Sequence, residues 1–147
     1  MIRTMQQQDR AVFLALSEEF YHSPAVLAPI PASYHEKTFD ELLRSEAYLV
    51  GFLFEVEGEA AGYALLNRSF SHEAGGAVVW VEELYVRPGY QGHGIGTRFF
   101  SYLKAHYPAA RYRLETEPEN VRAKALYAKM GFQPLAYEQM ICDTAAD

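Results

Sequence analysis

Cysteine is almost missing from this chain: Cys142 is the single one among 147 residues. One thiol cannot close an internal disulfide or build a cysteine-based metal site. Long apolar runs are missing as well, and none reaches the ~20 residues of a membrane-spanning helix. The opening "MIRTMQQQDRAVF" lacks the basic flank and apolar stretch of a secretory leader, so the expected compartment is the cytoplasm. Basic residues are in deficit, 13 Lys and Arg against 19 Asp and Glu, for a net charge of −6. Nucleic-acid binding rests on clustered cations, so no nucleic acid is expected as a partner, and no membrane either. An acidic domain fits a cationic small molecule better.

What is plentiful is apolar. Half of the chain is hydrophobic and 14% is aromatic, with 11 Tyr and 9 Phe. This length and mixture suit a single domain over residues 1–147 with one substantial core. The hydrophobic period changes along the chain. Val12, Phe13, Leu16, Phe20 and Tyr21 stand at helical spacing after Asp9, and a second helix is expected over Ser33 to Arg44 with Phe39, Leu42 and Leu43 buried. Between them, "YHSPAVLAPIPASY" has three prolines and reads as a loop.

Strand patterns cover Ile2 to Met5, Tyr48 to Val56, Ala60 to Phe70 and Ala77 to Val86. Helices are expected over Ile95 to His106 and after Asn120, with a strand Tyr112 to Thr116 between them and closing strands at Phe132 to Pro134 and Tyr137 to Ile141. The fold class is therefore α/β (α+β), a mixed central sheet of six to seven strands with about four helices.

One stretch asks for a ligand. "QGHGIG", Gln91 to Gly96, lies between a strand end and a helix start. Backbone N–H groups at a helix N-terminus attract anions, and glycines let a phosphate come close to them. Glycine at alternate positions is more than a connecting turn needs. The dinucleotide fingerprint fails, because its third glycine would fall at Thr97, and no Gly-Lys-Ser or Gly-Lys-Thr of a P-loop is present.

"LYVRPGYQGHGIGTRFF" resembles motif A of the GNAT-type N-acetyltransferases, whose loop Q/R-x-x-G-x-G/A is matched in full by Gln91 to Gly96. "NVRAKALYAKMGF" resembles the same family's motif B through Asn120, Ala123, Tyr127, Gly131 and Phe132. Together the two motifs cover roughly residues 80–134. The resemblance implies the GNAT acyl-CoA N-acyltransferase fold, splayed at the motif A strand, and transfer of an acetyl group from acetyl-CoA to a primary amine of a small molecule or peptide in a ternary complex. It implies acetyl-CoA as co-substrate and no metal. No pair of His, Asp and Glu has metal-binding spacing. Such proteins often form dimers, which makes a homodimer the oligomeric expectation. A non-catalytic acetyl-CoA-binding regulatory domain is the alternative.

Carried onto this chain, the resemblance has the backbone of Leu84, Tyr85 and Val86 grip pantetheine, with the Val86 N–H near the thioester carbonyl. Backbone groups of Gly92, His93, Gly94, Ile95, Gly96 and Thr97, with Gln91, hold the pyrophosphate. Asn120 and Ala123 complete the cofactor contacts, and Asn120 doubles as a helix cap. Tyr127 is the expected general acid, because a phenol stays protonated at neutral pH and can hand a proton to the leaving thiolate. Arg122, Lys124 and Lys129 could reach the 3′-phosphate.

Glu82 and Glu83 are adjacent acids within an apolar strand, a costly placement unless the strand borders a wet site. Strand neighbours face opposite sides, so one of them is expected in a given cleft. Glu82 is taken as a water-mediated base and Glu83 as an acceptor-binding or structural group. Tyr21 and His22 fall where the family's first helices build the acceptor pocket.

Overall fold

The computed structural model describes residues 1–144. Its elements are β1 (Ile2–Thr4), α1 (Arg10–Tyr21), α2 (Ala32–Arg44), β2 (Leu49–Val56), β3 (Glu59–Ser71), β4 (Gly76–Val86), α3 (Ile95–His106), β5 (Arg111–Leu114) and α4 (Val121–Lys129). Short 3₁₀ turns, Gln7–Asp9 and Pro88–Tyr90, precede α1 and the glycine loop. The strands form one mixed sheet in the order β1-β2-β3-β4-β5, antiparallel except for the parallel β4–β5 pair. The expected six to seven strands are thus corrected to five. No strand forms after α4 among the described residues. Pro134 cannot donate to a ladder, and Leu135, Tyr137, Met140 and Ile141 lie exposed rather than on a covered face.

Both faces of the sheet are covered, which explains why the middle strands read as near-continuous apolar runs. From β2, Phe52 and Phe54 point to the α3 side and Leu53 to the α1–α2 side. From β3, Ala64 and Leu66 take the first face, and Tyr63 and Leu65 the second. Phe99, Phe100 and Leu103 of α3 are fully buried, as are Phe13 and Leu16 of α1 and Phe39 of α2. Burying each such side chain contributes about 1.5–3 kcal/mol. Leu43, expected inside, is 41% exposed, and His35 takes the buried place one turn before Phe39. The stripe that α2 buries runs through 35, 39 and 42, leaving 43 at its edge.

Asp9 precedes α1 as expected, but its carboxylate does not cap the first turn. It accepts the Gln6 N–H at 2.7 Å and both ends of the Arg3 guanidinium at 2.8 and 2.9 Å. Arg3 also donates to Glu55 of β2, so one cation ties the start of α1 to two strands. The Arg3 guanidinium holds the Asp9 carboxyl below its usual range.

Two irregularities in β4 open the sheet on one side. Leu65 pairs with Glu83 and Leu66 with Val81, which makes Glu82 an extra residue, a β-bulge. The β4–β5 pairing also covers only Val78–Val81 against Arg111–Leu114, and β4 continues alone to Val86. On the other side of this free segment the chains run unusually close. A Cβ on Gly62 would sit 2.0 Å from the Tyr85 carbonyl oxygen and 2.9 Å from the Val86 Cα. Gly62→Ala is therefore expected to cost about 2 kcal/mol or more, as overpacking does when backbone has to move. Urea denaturation measures it; a loss below about 0.5 kcal/mol, the ordinary surface value, would contradict the close approach.

Candidate active site

Beyond Val81 the unpaired edge of β4 borders a cavity of about 80 Å³. Its wall includes Glu82, Glu83 and Leu84 of β4, Glu115 and Thr116 after β5, Asn120, Ala123 and Tyr127 at the start and middle of α4, and Phe20 of α1. Strand alternation predicted one acid in the cleft, but both Glu82 and Glu83 line it. The bulge at Glu82 is the reason, because it breaks the two-residue period. Val79 and Val81 pack toward α3 before it, and Leu84 and Val86 pack toward α3 after it, three positions on instead of two. Glu83 and Tyr85 are thereby turned to the α1–α2 side.

The two acids have different surroundings. Glu83 is 9% exposed, and each of its oxygens accepts a phenol: Oε1 from Tyr63 at 2.7 Å and Oε2 from Tyr21 at 2.5 Å. Burial raises its pKa, the two hydroxyls pull it down, and the neighbouring Glu82 raises it again. The phenols respond in the opposite sense: burial and the Glu83 charge push Tyr21 and Tyr63 well above the usual tyrosine range. Glu82 is the more exposed of the two acids and accepts the Asn67 side-chain amide at 2.7 Å. Enclosure within the cleft and repulsion from Glu115 hold its carboxyl above the ordinary range.

The free strand edge has a definite polarity. The Arg87 N–H bonds the Ala61 carbonyl across the β3 ladder at 2.8 Å. In an antiparallel ladder alternate residues turn their backbone groups the other way, so Val86 and Leu84 present N–H and C=O to the unpaired edge. The Gln91 side-chain amide donates to the Val86 carbonyl at 3.0 Å, which ties the glycine loop to the strand end.

In that loop Gly92 and Gly94 have φ of 82° and 80°, left-handed values that side chains rarely adopt, and Gly94 is the N-cap of α3. Arg122 of α4 reaches to 3.5 Å from where a Gly92 Cβ would stand, and Arg98 to the same distance at Gly94. Arg98 also donates to the His93 carbonyl. Two guanidinium groups thus flank a helix N-terminus whose N–H groups are free, a donor set suited to a pyrophosphate. Gly96 is glycine for another reason: a Cβ there would strike Leu126 at 2.6 Å, so it permits the approach of α4 to α3. Ile95 is buried core, and His93 and Gln91 lie at the surface beside the loop. Thr97 lies in the first turn of α3.

Asn120 caps α4 by accepting the Ala123 N–H at 3.2 Å. Tyr127 packs edge-on against Phe100, and burial raises its pKa, which keeps the phenol protonated. His22 is not brought to the cavity; its Nδ1 sits by the Glu18 carbonyl at 2.9 Å. Sequence reasoning missed Tyr63, Asn67, Arg98 and Glu115. Arg98, four residues beyond Gly94 on the same helix face, could have been read from spacing. The others lie on strands and turns distant in sequence, and only the sheet register and the end of β5 bring them in. Among the described residues, no three His, Cys, Asp or Glu side chains gather as a metal would require, and no helix is long and apolar enough to cross a membrane.

Comparison with known proteins agrees with this geometry. The model of the acetyltransferase (GNAT) family matches residues 11–132. The chain is 29% identical over 83 residues to a spermine/spermidine N(1)-acetyltransferase of Bacillus subtilis (strain 168), and equally to a probable spermine N(1)-acetyltransferase of B. subtilis subsp. natto (strain BEST195). Each match takes in 52% of this chain and 55% of the relative, so the chain spans about half the length of the curated relatives it matches.

Among solved structures, a possible acetyltransferase from Clostridium difficile 630 superposes with a TM-score of 0.83 at 19% identity, covering 99% of this chain and 98% of the other. An integron cassette protein from the mobile metagenome of Cole Harbour Salt Marsh superposes with 0.81 at 24% identity, covering 99% and 91%. Aminoglycoside N-acetyltransferase AAC(6′)-Iy in complex with CoA superposes with 0.78 at 17% identity, covering 99% and 95%. These likenesses establish the fold.

The raised pKa of Glu82 has a consequence for stability. Its carboxyl binds a proton more tightly folded than unfolded, so the folded state loses stability as pH rises from the ordinary carboxylate range through the raised value. Glu82→Gln removes that loss. The variant is expected to gain stability relative to wild type between pH 4 and pH 7, with the added gain vanishing below about pH 4, where both states are protonated. Urea midpoints at several pH values test this, and a difference that stays constant across the range would refute it.

Proposed function

The chain belongs to the acetyltransferase (GNAT) family, and on that premise we propose that it moves an acetyl group from acetyl-CoA to a primary amine of a small cationic molecule. The observation that carries the proposal is the cavity itself, where an unpaired strand edge, an acidic pair and a protonated phenol meet beside a glycine loop flanked by two arginines. Acetyl-CoA, when bound, supplies an acetyl group activated as a thioester and a thiolate leaving group. The residues fit such a molecule. The loop N–H groups from Gly92 to Thr97 with Arg98 and Arg122 would hold its pyrophosphate. The free backbone groups of Leu84 and Val86 would hold its pantetheine arm, with Asn120 and Ala123 on the opposite wall; Tyr85, expected to share in that grip, turns its backbone to β3 instead.

The acceptor side is acidic. Glu82, Glu83 and Glu115 line one small cavity, a setting that attracts a cation and disfavours an anion. This supports an alkylammonium acceptor, as do the polyamine substrates named for the B. subtilis relatives. Glu83, held by Tyr21 and Tyr63, would fix the ammonium. Glu82, the more solvated acid, would take the proton through a water and leave a neutral amine able to attack. The Val86 N–H would donate to the carbonyl oxygen as charge builds there. Tyr127 would return a proton to sulfur.

The test is a panel of amines, with spermine, spermidine, an aminoglycoside, free amino acids and a lysine peptide, read by release of free thiol. Turnover is expected with the polycationic members. Tyr127→Phe should lower kcat about 100-fold, the lower range for a general acid, while CoA binding measured by calorimetry is retained. Wild-type protein that binds acetyl-CoA but turns over no amine would establish a binding domain instead.

A further inference from the structure

Beyond Val81, β4 has no partner on the β5 side, and its pairing with β3 ends at Gly62–Val86. The last turn of α1 supplies a further hold, through three alternate residues of the strand. Glu83 accepts the Tyr21 phenol at 2.5 Å. Tyr85 donates to Glu19 Oε1 at 3.1 Å, and its ring packs on Phe20 with centroids 5.6 Å apart. Arg87 grips the same carboxylate with two arms, Nε to Oε1 at 3.1 Å and Nη2 to Oε2 at 2.8 Å. Its third arm, Nη1, donates to the Ala60 carbonyl at 3.0 Å, so one side chain joins α1, β3 and the end of β4. Both partners of the ion pair are partly exposed, 34% for Arg87 and 40% for Glu19, and such a pair contributes little to stability. A bidentate fork on a carboxylate that a phenol shares does restrain position closely.

What lies on either side gives the clamp its consequence. Val86, with its N–H on the free edge, immediately precedes Arg87, and the Pro88–Tyr90 turn immediately follows it and leads into the glycine loop. The same helix turn also forms the acceptor side, with Phe20 in the cavity wall and Tyr21 on Glu83. We propose that Glu19 is a positioning residue for the transfer: its clamp on Tyr85 and Arg87 fixes the Val86 N–H, where the thioester carbonyl would lie, in register with Glu83, where the amine would sit. The proposal rests on the acetyl-transfer reading above and adds to it a residue outside the cavity wall. Glu19 gives and takes no proton and acts only through the strand. An oxyanion donor works within hydrogen-bonding distance of the developing charge, so a small slide of the strand end along α1 costs rate before it costs binding.

The experiment binds acetyl-CoA labelled with ¹³C at the thioester carbonyl and reads its NMR signal, alongside kcat with spermine. In the wild type the signal should lie downfield of free acetyl-CoA, because a donated hydrogen bond polarises the carbonyl. Glu19→Ala should move it back toward the free value and lower kcat roughly tenfold, a fraction of the about 100-fold that loss of an oxyanion donor costs, with the KM for acetyl-CoA little changed. Arg87→Ala should do the same, and the double variant should be no slower than either single one, since both remove one clamp. Glu19→Gln, which keeps one acceptor oxygen for Arg87, should recover part of the rate and of the shift. A Glu19→Ala protein that loses stability but keeps the wild-type kcat and carbonyl signal would overturn the proposal and leave acetyl transfer intact. Losses that multiply in the double variant would overturn it as well. A carbonyl signal that depends on Glu19 in a protein that acetylates no amine keeps the clamp and removes the transfer reading.

Discussion

The inserted residue in β4 governs the geometry of the whole site. Without the bulge at Glu82, residues 79, 81, 83 and 85 would share one face, and Glu83 would enter the α3 core among Phe99 and Phe100. With it, Glu83 turns to the opposite layer, where Tyr21 and Tyr63 can satisfy both of its oxygens. Leu84 and Val86 turn into the α3 core and keep the strand anchored as it parts from β5. A buried acid without those two phenols would carry a large desolvation cost, so the bulge and the tyrosines stand or fall together.

The divergence of β4 from β5 is the second half of the same design. β5 is only four residues long, and its last residue, Leu114, pairs with Val81 immediately before the bulge. From there the two chains separate, and α4 closes the far wall with Asn120, Ala123 and Tyr127. The unpaired N–H and C=O groups of the β4 edge would be a liability in a sheet interior. Here they line a cleft, where a ligand or water can satisfy them.

Much of this was legible in the chain. The strand, glycine loop and helix around residue 92 stand where their pattern put them, and α3 keeps the expected bounds Ile95 to His106. The Asn120 cap and the buried faces of α1 and α3 follow from local chemistry and period. What misled was periodicity without a partner. Residues 132–141 alternate well enough to suggest strands, yet a strand also needs an edge and a covered face, and Pro134 with the exposed Leu135 and Tyr137 has neither. Leu43 fits a helical stripe one position too wide. Gly96 reads as part of a phosphate loop, while its missing side chain answers to Leu126 on a helix thirty residues away.

The division between the two levels is physical. Capping, turn conformation, helix period and the glycine demand of a left-handed backbone act over a few residues, so the sequence alone determined most of the elements, the conformation of the glycine loop and the family resemblance. A bulge alters the facing of every later residue in its strand and leaves no mark in local composition. Which face Glu83 occupies, that both acids share one cavity, and that Tyr21 and Tyr63 both reach Glu83 were decided only when strands and helices separated by tens of residues were set in register.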